Sequence, residues 1–199
     1  MNTKNGQTEG VKIPVPPKKK TKKQIAVRSG KECAYLAVFV ALVIAAQFVL
    51  SAVPGVEVVT VLFVSYTFIF GVRRGLIAAT AFSLLRQLVF GFIPTVLILY
   101  LVYFNGLAAL FGWLGKVVKK PLRALWWLIL VACACTICFS LLDGIITPIW
   151  YRFSKRATQA YFMAALPFAI PQIICTAISV GVLFFPLQTA FKQIKKGLN

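Results

Sequence analysis

The sequence predicts an all-α integral membrane protein with six transmembrane helices and both termini in the cytoplasm. The chain of 199 residues is 60% hydrophobic and only 13% charged, more apolar surface than one soluble core of this size could bury. Its apolar stretches are long enough to cross a bilayer and are separated by short breaks. Lys and Arg cluster at alternate breaks, as the positive-inside rule requires of a protein with several membrane spans.

Two regions are predicted. Residues 1–30 form a basic, proline-containing tail, which we expect to be disordered and cytoplasmic. Nine of the 22 Lys and Arg residues precede residue 32. No short apolar region with a small-residue cleavage site follows the basic run Lys18–Lys23, so this start does not resemble a secretory signal. Residues 31–199 form the six-helix membrane domain.

The first three spans are delimited by glycine, proline and charge. Span one covers about Cys33–Val53 and stops at Pro54 and the glycine after it. Span two is short, about Val56–Phe70, and ends at a glycine followed by an arginine pair. Span three covers about Gly75–Phe92. Glycine and proline end each stretch because they disfavour a continuing helix.

The last three spans follow the same signals. Span four covers about Pro94–Leu114 and stops at a glycine before a basic loop. Span five begins near Leu122 and continues to about Ile146. Span six lies between about Ala160 and Phe185, contains two prolines in its outer half, and is expected to close at Pro186.

The distribution of positive charge orients these spans. With the N-terminus inside, 18 of the 22 Lys and Arg residues fall on the inner side. Only Arg152, Lys155 and Arg156 fall outside, and Arg86 lies within the third span. The difference places both termini in the cytoplasm.

The net charge of +18 also raises the question of nucleic-acid binding. The cations, however, lie in the tail or flank apolar spans. A basic rim beside membrane spans contacts anionic lipid head groups or sets topology. We therefore predict a lipid bilayer, and no nucleic acid, as the partner of these charges.

The sequence contains no recognisable catalytic motif. The sequence has no His, which excludes Ser-His-Asp triads and His-Glu-x-x-His zinc sites. Gly115-Lys116 lacks the remaining residues of a phosphate-binding loop. The five cysteines lie in or beside predicted spans, where small buried packing residues are their ordinary role. We predict no enzyme activity, metal or cofactor.

Three ionisable residues are the first candidates for binding a solute. Glu57, Arg86 and Asp143 all belong to the outer half of the predicted spans, with Arg86 about 9 Å below the outer end at about 1.5 Å per residue. Charged groups at membrane depth are costly and by default mark a functional site. The alternative for Arg86 is an ion pair with Glu57 that joins two adjacent helices.

Four further candidates each have a structural alternative. Asn105 is an amide within a span and could instead bond to a neighbouring helix. Gln172 follows a proline that frees a helix carbonyl, an irregularity typical of cavity walls. Trp150 could stack on a ring-bearing solute or anchor the chain at the interface. Arg152 belongs to an outer basic cluster that favours an anionic solute or simply solvates its loop.

Small residues recur every four positions on the first helix. Ala37, Ala41 and Ala45 form a stripe that would let another helix approach closely. The stripe either packs within the bundle or docks another protein.

These features resemble the substrate-binding S components of energy-coupling factor (ECF) vitamin transporters. The resemblance covers roughly residues 31–190: six spans, a basic N-terminus, the Ala-x-x-x-Ala stripe, and the segment Pro54–Thr60 followed by a short apolar helix ending Phe70-Gly71. A third helix rich in small residues follows. Topology and size carry more of the resemblance than any single motif.

The resemblance implies a high-affinity binding subunit in a prokaryotic plasma membrane. It would capture a vitamin or related micronutrient in an outward-open pocket and hydrolyse no ATP. A transmembrane coupling subunit, meeting the alanine stripe, and two cytoplasmic ATPases would complete the importer. Two other classes remain open: a stand-alone carrier or small channel using Glu57, Arg86 and Asp143, and a purely structural subunit without a ligand.

Overall fold

The computed structural model describes residues 30–53, 58–118, 121 and 123–198. The predicted tail therefore lies outside the described residues, apart from its last residue. Within the described part the chain is entirely helical, with no strand. The helices are α1 (Gly30–Leu50), α2 (Val59–Phe70), α3 (Val72–Phe90), α4 (Pro94–Val117), α5 (Leu125–Trp150) and α6 (Lys155–Leu198).

Four of these helices, α1, α4, α5 and α6, are long and apolar enough to cross a membrane. The all-helical class is thus confirmed, and the apolar helices are compatible with a membrane protein. Two predicted spans differ from the other four. Helix α2 has only 12 residues, about 18 Å at about 1.5 Å per residue, and the 19-residue α3 carries three arginines.

Helix α2 is the centre of the bundle. Every residue from 59 to 69 is buried, and α1, α3, α4 and α6 all pack against it. A largely apolar helix without a polar face is typical of a protein core or a membrane span, and here the protein itself covers α2. A hydroxyl group of α2 can be buried where a carbonyl of the same helix accepts its hydrogen bond. Thr67 Oγ1, for example, donates to the Phe63 carbonyl at 2.7 Å.

Aromatic rings attach the neighbouring helices to α2. Phe63 lies with its ring centroid 4.8 Å from that of Phe104 in α4. Tyr66 stacks on Phe39 of α1 at 4.0 Å and meets Phe191 of α6 edge-on at 5.7 Å. Such pairs add about 0.5–1.5 kcal/mol each beyond simple burial. The same short helix therefore holds three others in place.

Glycines permit the closest helix contacts. A Cβ on Gly112 of α4 would lie 2.5 Å from the backbone nitrogen of Val72, at the start of α3. A Cβ on Gly75 of α3 would lie 2.7 Å from Thr67 Cγ2 of α2. Between α2 and α3, Gly71 has φ +83°, a value that favours glycine. These contacts bring α2, α3 and α4 into one tight unit.

The turn between α3 and α4 matches the predicted break. Gly91 has φ +90° and Pro94 occupies the first turn of α4, where a missing N–H costs nothing. The backbone nitrogen of Ile93 donates to Gln87 Oε1 at 3.2 Å. A side chain of α3 therefore satisfies a donor of the turn.

One end of the bundle, which we call the basic end, collects the start of α1, the end of α2, the start of α3, the end of α4 and the end of α6. Arg74 and Glu32 form an ion pair of 2.7 Å there, and Lys195 Nζ donates to the Ile69 carbonyl. Among the described residues, the Lys and Arg at helix ends that meet here are Lys31, Arg73, Arg74, Lys116, Lys192, Lys195 and Lys196.

Helix α6 is longer than predicted. It runs for 44 residues from Lys155 to Leu198 and contains Pro167, Pro171 and Pro186. Our expectation that Pro186 ends this element was wrong. A proline removes one helix hydrogen bond and disfavours continuation, but α6 packs along both α5 and α2, and this tertiary packing keeps the helix continuous.

We predict that Gly112→Ala lowers the free energy of unfolding by about 1–3 kcal/mol, because the added methyl group meets immobile backbone of α3. Thermal unfolding in detergent measures the effect. Gly106→Ala is the matched control in the same helix, since a Cβ there meets nothing within 4 Å. It should be neutral or stabilising by up to about 1 kcal/mol. Equal stability of the two variants would contradict the close approach of α3 and α4.

Candidate functional site

Two adjoining cavities open at the end of the bundle opposite the basic end, which we call the cavity end. The arginine pocket, about 280 Å³, is lined by residues that include Gln47, Arg86, Phe90 and Tyr100. The aspartate pocket, about 360 Å³, includes Asp143 and Tyr161. Both pockets are also lined by Phe139, Phe168 and Gln172. Volumes of this order suit a small organic molecule.

The side chains of Gln47, Phe90 and Tyr100 hold Arg86 in the arginine pocket. Its Nε donates to Gln47 Oε1 at 2.9 Å, and Gln47 Nε2 donates to the Tyr100 hydroxyl at 2.8 Å. The guanidinium carbon lies over two rings, 4.5 Å from the Phe90 centroid and 4.3 Å from the Tyr100 centroid. Helices α1, α3 and α4 each supply part of this arrangement. It fixes the guanidinium group in one place.

The rings and the amide make a cation tolerable at this depth. Each cation–π contact contributes about 0.5–2 kcal/mol, and a hydrogen bond from a charged donor is stronger than a neutral one. Arg86 nevertheless has no carboxylate partner among the described residues. Glu57, its predicted partner, lies outside the described residues, so that pairing stays a prediction.

Asp143 joins α5 to α6 in the second pocket. Its Oδ1 accepts from Thr147 Oγ1 at 2.9 Å, and its Oδ2 accepts from the Tyr161 hydroxyl at 2.6 Å. Thr147 lies one helical turn along α5, where side chains four residues apart meet. No Lys or Arg among the described residues forms an ion pair with Asp143. The two described donors to this carboxylate, Thr147 and Tyr161, are neutral.

The wall between the two pockets is largely apolar. Phe168 and Gln172 are four residues apart in α6 and so share one face of that helix. Phe139 of α5 packs edge-on against Tyr100 at 5.8 Å and Tyr103 at 4.8 Å. The structure therefore places Gln172 at the cavity, although α6 continues through the proline before it.

Asn105 lies elsewhere. Its Nδ2 donates to the Leu101 carbonyl at 2.8 Å, and its Oδ1 accepts from Thr80 Oγ1 of α3 at 3.2 Å. The first bond lies within α4, and the second joins α4 to α3, as the structural alternative for Asn105 expects. It lines neither the arginine pocket nor the aspartate pocket.

The predicted residues of the α5–α6 connection are also outside the two pockets. Trp150 is 52% exposed. Arg152 is exposed, has φ +52°, and lines a separate shallow groove with Phe153 and Phe162. Lys155 and Arg156 at the start of α6 are exposed as well. The structure does not bring this basic cluster together with Arg86 or Asp143.

The alanine stripe lies on the surface. Ala37, Ala41 and Ala45 are all exposed on α1, whose buried residues Phe39, Val40 and Val43 face α2 and α3. Packing of the stripe within the described bundle, one of the two alternatives, is therefore excluded.

A further groove, at the basic end, is smaller than the two pockets. It is about 110 Å³ and is lined mainly by apolar side chains of α1, α2 and α6. Its two charged lining residues, Glu32 and Arg74, bond to each other. Elsewhere in the described part, no group of three His, Cys, Asp or Glu could hold a metal, and all five cysteines are free thiols.

Sequence reasoning missed the partners of the two charges. Gln47 and Tyr100 were visible as polar residues within spans, but nothing in the sequence linked them to Arg86. Tyr161 gave no signal by itself, because an interfacial tyrosine is common. Thr147 could have been found from its four-residue spacing to Asp143 on one helix.

The chain matches no known protein family, no curated protein and no solved structure. The resemblance to ECF S components therefore rests on the sequence features given above, and the site is interpreted from its geometry.

We predict that Gln47→Leu lowers the free energy of unfolding by about 1–3 kcal/mol, because it leaves Arg86 Nε and the Tyr100 hydroxyl without this amide. Differential scanning fluorimetry in detergent measures the change. Gln159→Leu is the control, since Gln159 is exposed near the start of α6. A loss of stability no larger than that of the control would argue against the Arg86–Gln47–Tyr100 chain of hydrogen bonds.

Proposed function

We propose that this protein is a membrane-embedded solute-binding subunit, specifically the S component of an ECF-type importer for a vitamin or related micronutrient. One observation carries the proposal. Arg86 and Asp143 lie in adjoining pockets of molecular size, and neither has a partner of opposite charge among the described residues. Unpaired charges in apolar surroundings are costly and mark binding sites.

The proposed orientation places the cavity end outside and the basic end in the cytoplasm. Positive charge at the helix termini of the basic end supports it, because Lys and Arg are retained on the inner side. The chain would then cross the membrane six times, with α2 and α3 as the two less typical segments, and both termini would be cytoplasmic. The membrane would be the plasma membrane of a prokaryote.

The packing beneath the cavity favours a binding protein over a stand-alone carrier or channel. Between the cavity and the basic end, the bundle is filled by completely buried aromatic side chains. They include Phe63, Phe82, Phe104, Phe111 and Phe184. A solute could cross this layer only if α2 and its neighbours repacked. Dependence on an external, ATP-driven partner is consistent with such a closed core.

The exposed alanine stripe supports a protein partner in the membrane. Small residues allow the close helix approach on which association within lipid depends. In the proposed importer this face meets the transmembrane coupling subunit, which in turn binds two cytoplasmic ATPases.

The first test is to identify what the protein carries. We expect protein purified in mild detergent to release a small micronutrient, detected by mass spectrometry after denaturation. We also expect vesicles that contain this chain alone to take up none of that compound. Uptake by the lone chain, driven by a proton gradient, would instead support the secondary carrier.

A second test concerns the partner surface. Ala41→Trp should abolish co-purification of a co-expressed coupling subunit while leaving the content of bound solute unchanged, because the indole blocks helix contact far from the cavity. Leu42→Trp is the control: Leu42 is also exposed but lies about 100° further round α1. An intact complex with Ala41→Trp would refute the stripe as the docking face.

A further inference from the structure

We propose that the solute is dipolar: an acidic group binds Arg86, an amine or other N–H donor binds Asp143, and a flat apolar body joins them. This inference rests on the proposed function, because it assumes that the two pockets are one binding site. It adds the chemical class of the solute, which neither the sequence nor the size of the cavity specifies.

The surroundings of Arg86 select the acidic group. Its Nε is already bonded to Gln47, and the rings of Phe90 and Tyr100 lie against the guanidinium group. Its Nη1 and Nη2 atoms form no hydrogen bond to a described residue. Two adjacent N–H donors of this kind match the two oxygens of a carboxylate or a phosphate. Because the guanidinium group is already oriented, little further ordering is needed.

The surroundings of Asp143 select a donor. A carboxylate offers about four acceptor positions, and the described residues use two of them, through Thr147 and Tyr161. Both of these donors are neutral. An ammonium or amidine-like group of the solute would occupy the remaining positions and also neutralise the charge.

The shared wall selects the body of the solute. Phe139 and Phe168 line both pockets, so any molecule that reaches from Arg86 to Asp143 passes these two rings. A planar ring would stack on them or meet them edge-on.

Charge balance favours a solute that carries both an acidic group and an N–H donor over a simple anion. A solute with only an acidic group would compensate Arg86 and leave Asp143 unpaired in a pocket from which water has been displaced. Uncompensated charge in such surroundings is strongly unfavourable. A dipolar solute brings one opposite charge to each of these two residues.

Matched probes test this class. The full-length protein in lipid nanodiscs is titrated calorimetrically with 4-(aminomethyl)benzoate and its longer homologue 3-(4-aminomethylphenyl)propanoate, which carry both charges at two separations. The singly charged probes are 4-methylbenzoate and benzylamine. We expect at least one dipolar probe to bind about tenfold more tightly than both singly charged probes, since one charged hydrogen bond contributes about 1.5–3 kcal/mol.

Two variants test which residue binds the acidic group of the solute and which binds its N–H donor. Arg86→Gln should remove the advantage of the dipolar probe over benzylamine, and Asp143→Asn should remove its advantage over 4-methylbenzoate. Arg156→Gln, which changes an exposed cation outside both pockets, should change neither. The inference is overturned if neither dipolar probe binds, if 4-methylbenzoate binds equally well, or if the two variants exchange effects.

Failure of this inference is distinguishable from failure of the proposed function. A micronutrient that is released from the purified protein but lacks an acidic or a donor end would overturn the dipolar class and leave the binding function standing. If the purified protein releases no solute and none of the four probes binds, both are refuted.

Discussion

The burial of α2 from Val59 to Ile69 is the constraint on which the rest of the bundle depends. A helix of 12 residues is too short to cross a bilayer alone, and four other helices pack against it. The rings of Phe63 and Tyr66 and the glycine contacts of α3 and α4 are the means of covering it. The short length of α2 also shapes the cavity. Its first residue, Val59, and the preceding Val58 line the arginine pocket.

The two ends of the bundle handle charge differently. At the basic end, Arg74 is paired with Glu32 at 2.7 Å, which ties α3 to α1. At the cavity end, Arg86 and Asp143 are supported by neutral side chains and aromatic rings. A paired charge stabilises a contact between helices, whereas a charge held by neutral partners keeps its capacity to attract a ligand. This contrast is the main physical argument for placing function at the cavity end.

The closed aromatic core and the open cavity together limit the possible mechanisms. A ligand bound between Arg86 and Asp143, as proposed, would meet the α2 layer and could go no further without a rearrangement of helices. The exposed face of α1 lies on the opposite side of that helix from its contacts with α2 and α3. A partner docked on this face could act on the bundle through α1, which contributes Gln47 to the support of Arg86.

The sequence by itself determined the helical class, the apolar stretches, the separation of most positive charge from the few ionisable groups of the cavity end, and most helix limits to within a few residues. These properties depend on the composition of each segment and on the order of its residues, both of which the sequence contains. Only the tertiary structure decided that Asn105 bonds to Thr80, that α6 continues through Pro186, and that α2 is central. It also decided that Arg86 meets Gln47, 39 residues away. Such contacts depend on how each helix is rotated about its axis, and a uniformly apolar helix carries no sequence signal for that rotation.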